Sequence, residues 1–251
     1  MKTPRIGRPG PLFAALLVGL VALGFAWYFR PLPVRSPAES LATDLQVRVE
    51  RASYGLRFSP LSGASSLGLV FYPGARVPPE AYAYLGRATA RAGYETVIAS
   101  FPLNFALFGP SKAETVRKAI PEVKAWVIGG HFLGGSMAAA YAAAHPKAVA
   151  GLILLASYPR AGTVLAASTL PVLSISASND GLATPALVAA ARHLLPATTR
   201  YVEVAGGSHA QFGDYGLQPG DGLPDTPAQA QHRAVIEESL AFMDMVLAKL
   251  R

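Results

Sequence analysis

From about residue 45 onward, short runs of apolar, β-prone residues alternate with stretches of helical spacing. This alternation constrains the fold more than any other feature of the chain. Residues 45–51 (LQVRVER) alternate apolar with polar side chains, as a half-exposed strand does. Continuous apolar runs follow at 67–72, 95–100, 124–129, 151–156, 171–176 and 200–205. Helical spacing occupies 78–92, closed by Gly93, then an Ala-rich stretch running to His145-Pro146, then 185–195 and 229–250. Strands that are apolar throughout must be covered on both faces, and helices between them supply the cover. The expectation is an α/β fold with a mostly parallel central sheet and helices on both faces. In such sheets ligands bind beyond the carboxyl ends of the strands, so chemistry is sought in the loops that follow each strand.

The amino-terminal segment is of a different kind. Pro11 to Phe29 holds 19 residues without a charge, close to the ~20 that a bilayer-spanning helix needs. Trp27, Tyr28 and Phe29 close it in the manner of an interfacial aromatic belt, and Arg30-Pro31 stop it. The resulting division is a basic tail at 1–10, a transmembrane signal anchor at 11–29, a Pro- and Ser-rich linker at 30–43, and a globular domain at 44–251. Lys2, Arg5, Arg8 and the terminal amine precede the span, against Arg30 and Arg35 after it. The bias of positive charge places the N-terminus in the cytoplasm and the domain outside it. Secretion after signal cleavage is the alternative, although no small-x-small cleavage site stands just after Phe29.

Composition removes several functions. The net charge of +7 suggests a nucleic-acid partner, but five of the basic residues (Lys2, Arg5, Arg8, Arg30 and Arg35) belong to the first 35 positions. Setting them aside leaves 17 basic side chains against 15 acidic ones, with no basic stripe, so no nucleic-acid partner is expected. Without cysteine there is no disulfide scaffold, no thiol nucleophile and no Cys-based zinc site. The histidines lack metal-ligand spacing, and neither a metal nor a cofactor is implied. Oligomeric state is left open.

The chemistry-bearing stretch is Gly129-Gly130-His131-Phe132-Leu133-Gly134-Gly135, placed between a strand and a helix. Glycines on either side of position 132 let strand and helix approach through a sharp turn, which presents the residue between them to a pocket. This is the pattern of a G-x-S-x-G nucleophile elbow, except that Phe132 stands where a hydrolase carries Ser. Asp180 follows the strand at 171–176, and His209 follows the strand at 200–205. The order elbow, acid, His is the one that this motif uses. An Asp180 carboxylate would orient the His209 imidazole and leave its other nitrogen facing position 132. His131 reads as a structural hydrogen-bonding side chain, Ser136 and Ser208 as structural hydroxyls, and His193 and His232 as helix-surface residues. The Gly213–Pro227 stretch reads as either a lid or a solvated loop.

The segments FYPGAR (71–76), WVIGGH (126–131), LGGSM (133–137), LASY (155–158), NDG (179–181) and Gly206 to Tyr215 together resemble the α/β-hydrolase superfamily. Within it, they are most similar to the group called α/β-hydrolase family 5, related to dienelactone hydrolases. The resemblance implies an ester or acyl hydrolase scaffold with Asp180 and His209 as catalytic acid and base. It also implies an oxyanion hole from the backbone N–H of Leu133 and one from the Gly74/Ala75 turn. The nucleophile does not carry over. A phenyl ring cannot be acylated, so standard serine-hydrolase turnover is not expected. Three readings stand: a non-catalytic homologue that binds a small ester or acyl ligand or a partner; an active esterase whose native form has Ser at 132; and a site in which His209 activates water directly. Membrane lipid, met by the N-terminal helix, is the other expected partner.

Overall fold

The computed structural model describes residues 11–251, and some side chains of the first helix, Trp27 and Tyr28 among them, lie outside that description. The basic tail expected at 1–10 also lies outside the described residues. Eight strands form one sheet: β1 (Val47–Ala52), β2 (Gly55–Pro60), β3 (Leu67–Tyr72), β4 (Glu95–Ala99), β5 (Ala125–His131), β6 (Gly151–Leu155), β7 (Val172–Ala177) and β8 (Arg200–Val204). Their spatial order is β1-β2-β4-β3-β5-β6-β7-β8. The β1–β2 and β2–β4 pairs are antiparallel, and all others are parallel. The helices are α1 (Pro11–Tyr28), α2 (Ala83–Arg91), α3 (Lys112–Ala119), α4 (Leu133–Ala144), α5 (Pro185–Ala190) and α6 (Ala228–Lys249).

Side chains alternate across the parallel strands, so each strand feeds two cores. Leu67, Leu69 and Phe71 of β3, Val127 of β5, and Ile153 and Leu155 of β6 join Leu85 of α2 and Phe242 and Val246 of α6 on one face. Val70, Tyr72, Ile128, Leu152 and Leu154 join Val116 of α3 and Met137, Ala138 and Tyr141 of α4 on the other. This double burial is why the strands read as unbroken apolar runs.

Two elements escape the sequence patterns. β2 alternates half-buried Arg57 and Ser59 with its buried Leu56, Phe58 and Pro60. Its turn from β1 is Ser53-Tyr54, which lacks the Gly or Asn that marks a two-residue hairpin. α3 buries only Ala113 and Val116, too few for visible periodicity. The expected helix over 78–92 begins as a 3-10 turn at Pro79–Tyr82 before α2.

Residues 30–43, expected as a spacer, are strapped onto the domain. Leu32 N–H donates to Arg76 O (2.9 Å), Arg76 Nε to Arg30 O (3.0 Å) and Arg35 N–H to Asp214 O (2.7 Å). Ser36 Oγ donates to Glu80 O (2.7 Å), and the Arg87 guanidinium holds Ser40 O, Ala42 O and the Asp44 carboxylate. Upstream, α1 leaves the described side chains of Leu16, Val18, Leu20 and Leu23 each more than 60% exposed. Among the described residues, no helix is long and apolar enough to cross a membrane.

Tyr72 closes the connection after β4. Its hydroxyl donates to Pro110 O (2.9 Å) and accepts from Ala113 N–H (2.8 Å). Tyr72→Phe should cost about 1–3 kcal/mol, because a buried N–H and a carbonyl lose their partner together. Urea unfolding measures it.

Candidate active site

β5 ends at His131, α4 starts at Leu133, and the whole reversal falls on Phe132, with φ 48° and ψ −115°. A bulky residue in this region costs on the order of 1–3 kcal/mol. Neighbours hold it there. Phe132 N–H donates to Leu155 O (3.0 Å), while Phe132 O accepts from Ser157 Oγ (2.7 Å) and Ser136 N–H (3.0 Å). The flanking glycines are required by contact. A Cβ on Gly130 would lie 2.5 Å from the Gly134 backbone, and one on Gly134 would lie 2.2 Å from Pro73 O.

Asp180 and His209 meet as their positions in the sequence suggest. His209 Nδ1 lies 2.9 Å from Asp180 Oδ2, and both side chains are fully buried. Asp180 Oδ1 accepts the N–H groups of Leu182 (2.8 Å) and Ala183 (2.7 Å). The carboxylate is thereby an acceptor throughout, so His209 donates from Nδ1 and turns Nε2 away from Asp180. Phe132 reaches the same place: its ring stands edge-on to the His209 ring, centroids 4.7 Å apart at 87°.

Four groups here extend or correct the sequence reading. The Gly74 N–H, assigned to the oxyanion hole, donates instead to Tyr82 Oη (3.0 Å). Leu133 opens α4, so its N–H has no acceptor within the helix; Ala75 is the other residue of the turn in which Gly74 is committed. Tyr82 Oη, having accepted from Gly74, donates to His131 Nδ1 (2.8 Å) and fixes the Nε2–H tautomer of that ring. His131 is thus a structural hydrogen-bonding residue, and it also packs 4.4 Å, centroid to centroid, from His209. Burial holds its imidazole well below the ordinary 6.5, and the neighbouring His209 pushes it the same way. Ser136, expected inside the helix packing, is half-buried and lines a cavity of about 270 Å³ with Phe132, Leu133, Ser157, Tyr158 and Arg160. His232 is not a surface residue: it is buried, stacked on Tyr84 at 3.8 Å, and burial lowers its pKa against the opposing pull of Asp214.

The Gly213–Pro227 segment is a strut rather than a lid. Asp221 Oδ1 accepts N–H groups from Gly181, His209 (both 3.1 Å) and Gly222 (2.8 Å), and Oδ2 accepts from Ala210 (2.8 Å). Asn179 Nδ2 donates to Leu223 O and Asp225 Oδ2. One carboxylate therefore binds the acid loop to the histidine loop. Sequence inspection passes over Asp221 because an Asp in a Gly- and Pro-rich stretch ordinarily only forms a turn.

A family model described as alpha/beta hydrolase family matches residues 68–233. No curated protein sequence matches the chain significantly. Among solved structures, a protein described as a predicted CIB-like hydrolase from Thermoplasma acidophilum aligns with TM-score 0.58 at 15% identity, covering 76% of this chain and 97% of the other. An alpha-beta serine hydrolase homologue from Coxiella burnetii aligns at 0.52 and 15% identity, covering 78% and 98%. A structure from work on LipS and LipT, two metagenome-derived lipolytic enzymes, aligns at 0.51 and 15% identity, covering 73% and 95%. At this identity the likeness is one of fold.

Two outcomes follow. Asp221→Ala should lower stability by on the order of 2 kcal/mol, since several backbone donors lose a charged acceptor, and hydrogen exchange should quicken at 180–184 and 207–212. Thermal unfolding should weaken as the pH falls below about 6.5, because the unfolded chain protonates at positions 131 and 232 before the folded one does. His131→Gln should flatten part of that slope.

Proposed function

The chain belongs to the alpha/beta hydrolase family, and from that premise we propose that it is a membrane-anchored member whose Asp180–His209 pair is retained but disarmed by Phe132. The observation that carries this reading is the phenyl ring edge-on to His209 at 4.7 Å, projected from a backbone turn that in a hydrolase would present Ser. A ring there offers no atom for acylation and fills the space that a reacting carbonyl would need. It also argues against His209 working on water directly: the imidazole side chain is 1% exposed, and the ring covers the base. Phe132 is half-buried against the core, so its ring recovers only part of the ~1.5–3 kcal/mol that full burial would contribute and offsets part of the backbone cost at 132.

The anchor reading rests on the 19 uncharged residues from Pro11 to Phe29 and on the exposed apolar side chains of α1. Charge flanking the span orients the N-terminus to the cytoplasm and the domain to the opposite side.

The cavity beside Phe132 favours a second reading, a non-catalytic binding site. About 270 Å³ lined by Phe132, Leu133 and Tyr158, with Arg160 contributing positive charge, suits a short acyl chain ending in a carboxylate.

A fluorophosphonate probe tests the principal reading. The protein should not label, Phe132→Ser should label, and Phe132→Ser with His209→Ala should fall silent again. Labelling of the unaltered protein would refute the disarmed-site reading. For the second reading, hexanoate should bind by calorimetry, and Arg160→Met should weaken it at least ~5-fold, the loss of one charge-assisted contact; absence of binding would remove it.

A further inference from the structure

The segment Pro102–Gly109, which follows β4, exposes three large apolar side chains in succession: Leu103 (46%), Leu107 (51%) and Phe108 (52%). It is not a slack loop. Phe101 and Ala106 anchor it in the core, and Phe101 packs on Tyr72 at 4.9 Å. Backbone bonds from Asn104 to Phe101, Phe105 to Pro102, Phe108 to Phe105 and Gly109 to Ala106 give it local turns. Leu103 and Asn104 both take left-handed backbone conformations, with φ 53° and 57°. The apolar crest is therefore held outward, although collapse onto the domain would hide it from water.

Its neighbours indicate what covers it. Phe105 makes an edge contact with Phe29, at 5.4 Å, and Phe29 packs on Phe25 of α1 at 4.2 Å. The crest thus adjoins the carboxyl end of the apolar helix. Asn104 O accepts Arg76 N–H, and Arg76 Nε donates to Arg30 O, so crest, linker start and the Arg76 guanidinium form one connected unit. No acidic residue occurs from Thr96 to Ala113. An apolar tip flanked by cations is the chemistry of a surface that enters the headgroup and acyl boundary of a bilayer.

We propose that the Leu103–Phe108 crest is a second membrane-contact element, which dips into the bilayer beside α1 and seats the candidate site at the lipid surface. The inference rests on the anchor reading and deepens it. β3, β4, β5, β7 and β8 are parallel, so the crest after β4 lies at the same end of the sheet as Phe132, Asp180 and His209. A domain held by α1 and the crest would carry its cavity beside Phe132 at the membrane, not away from it.

The absence of cysteine makes the test direct. Full-length protein bearing Leu107→Cys, Phe108→Cys, Leu16→Cys or Leu45→Cys is labelled with an environment-sensitive fluorophore. It is then reconstituted in phosphatidylcholine–phosphatidylglycerol vesicles with brominated acyl chains. Leu45 is 97% exposed at the opposite end of the sheet and serves as the control: its neighbour Val47 pairs with Pro60, whereas Gly55 pairs with Ala99. The expected result is quenching at 16, 107 and 108, with a depth of about 5–10 Å at the crest, and none at 45. Quenching at 16 without quenching at 107 and 108 overturns the crest and leaves the anchor standing. Quenching at neither overturns the anchor, and the crest with it. Quenching at 107 and 108 but not at 16 rejects the helix as the anchor and overturns the proposal of a second contact beside it.

Discussion

The site depends on how closely β5 and α4 approach one another. The strand runs straight into the helix through Phe132, with no room for a Cβ at Gly130 against α4 or at Gly134 against the end of β3. That closeness forces the φ of 48° at position 132 and aims its side chain at His209. On the proposed reading, a bend that would otherwise present a nucleophile delivers a ring, and the backbone strain stands without that chemistry.

Around the bend, the polar groups are arranged with more care than a vestigial site would require. Asp180 spends one oxygen on two backbone N–H groups and the other on His209. Asp221 then holds both parent loops by their backbones. These two carboxylates are matched to backbone and imidazole donors that would otherwise be costly to leave unpaired. The acid–base pair therefore has a structural reason to persist: removing either partner would strand its neighbour. Retention of Asp180 and His209 is not by itself evidence of turnover.

The segment that follows α1 bears on orientation. Residues 30–43 are not a free spacer: they are bonded to the 76, 80, 87 and 214 positions. Phe29 and Phe105 continue that attachment to the crest after β4. The strap fixes which end of the sheet adjoins α1, and that end carries the site.

The sequence by itself determined the architecture: apolar runs at 67–72, 95–100, 124–129, 151–156, 171–176 and 200–205, alternating with helical spacing, call for a parallel sheet covered on both faces, and the Gly pattern around Phe132 calls for a tight strand-to-helix bend. It also placed Asp180 and His209 in loops at the same sheet end, since parallel strands deliver their following loops to one edge. β2 and α3 were hidden because pairing and packing, rather than local pattern, hold them in place. Only the tertiary structure decided that the Gly74 N–H goes to Tyr82, that Asp221 ties the two loops together, that His232 is buried against Tyr84, and that the linker is a strap. Most of these depend on contacts between residues far apart in the chain, and side-chain spacing carries no record of where a hydrogen-bond donor finds its acceptor.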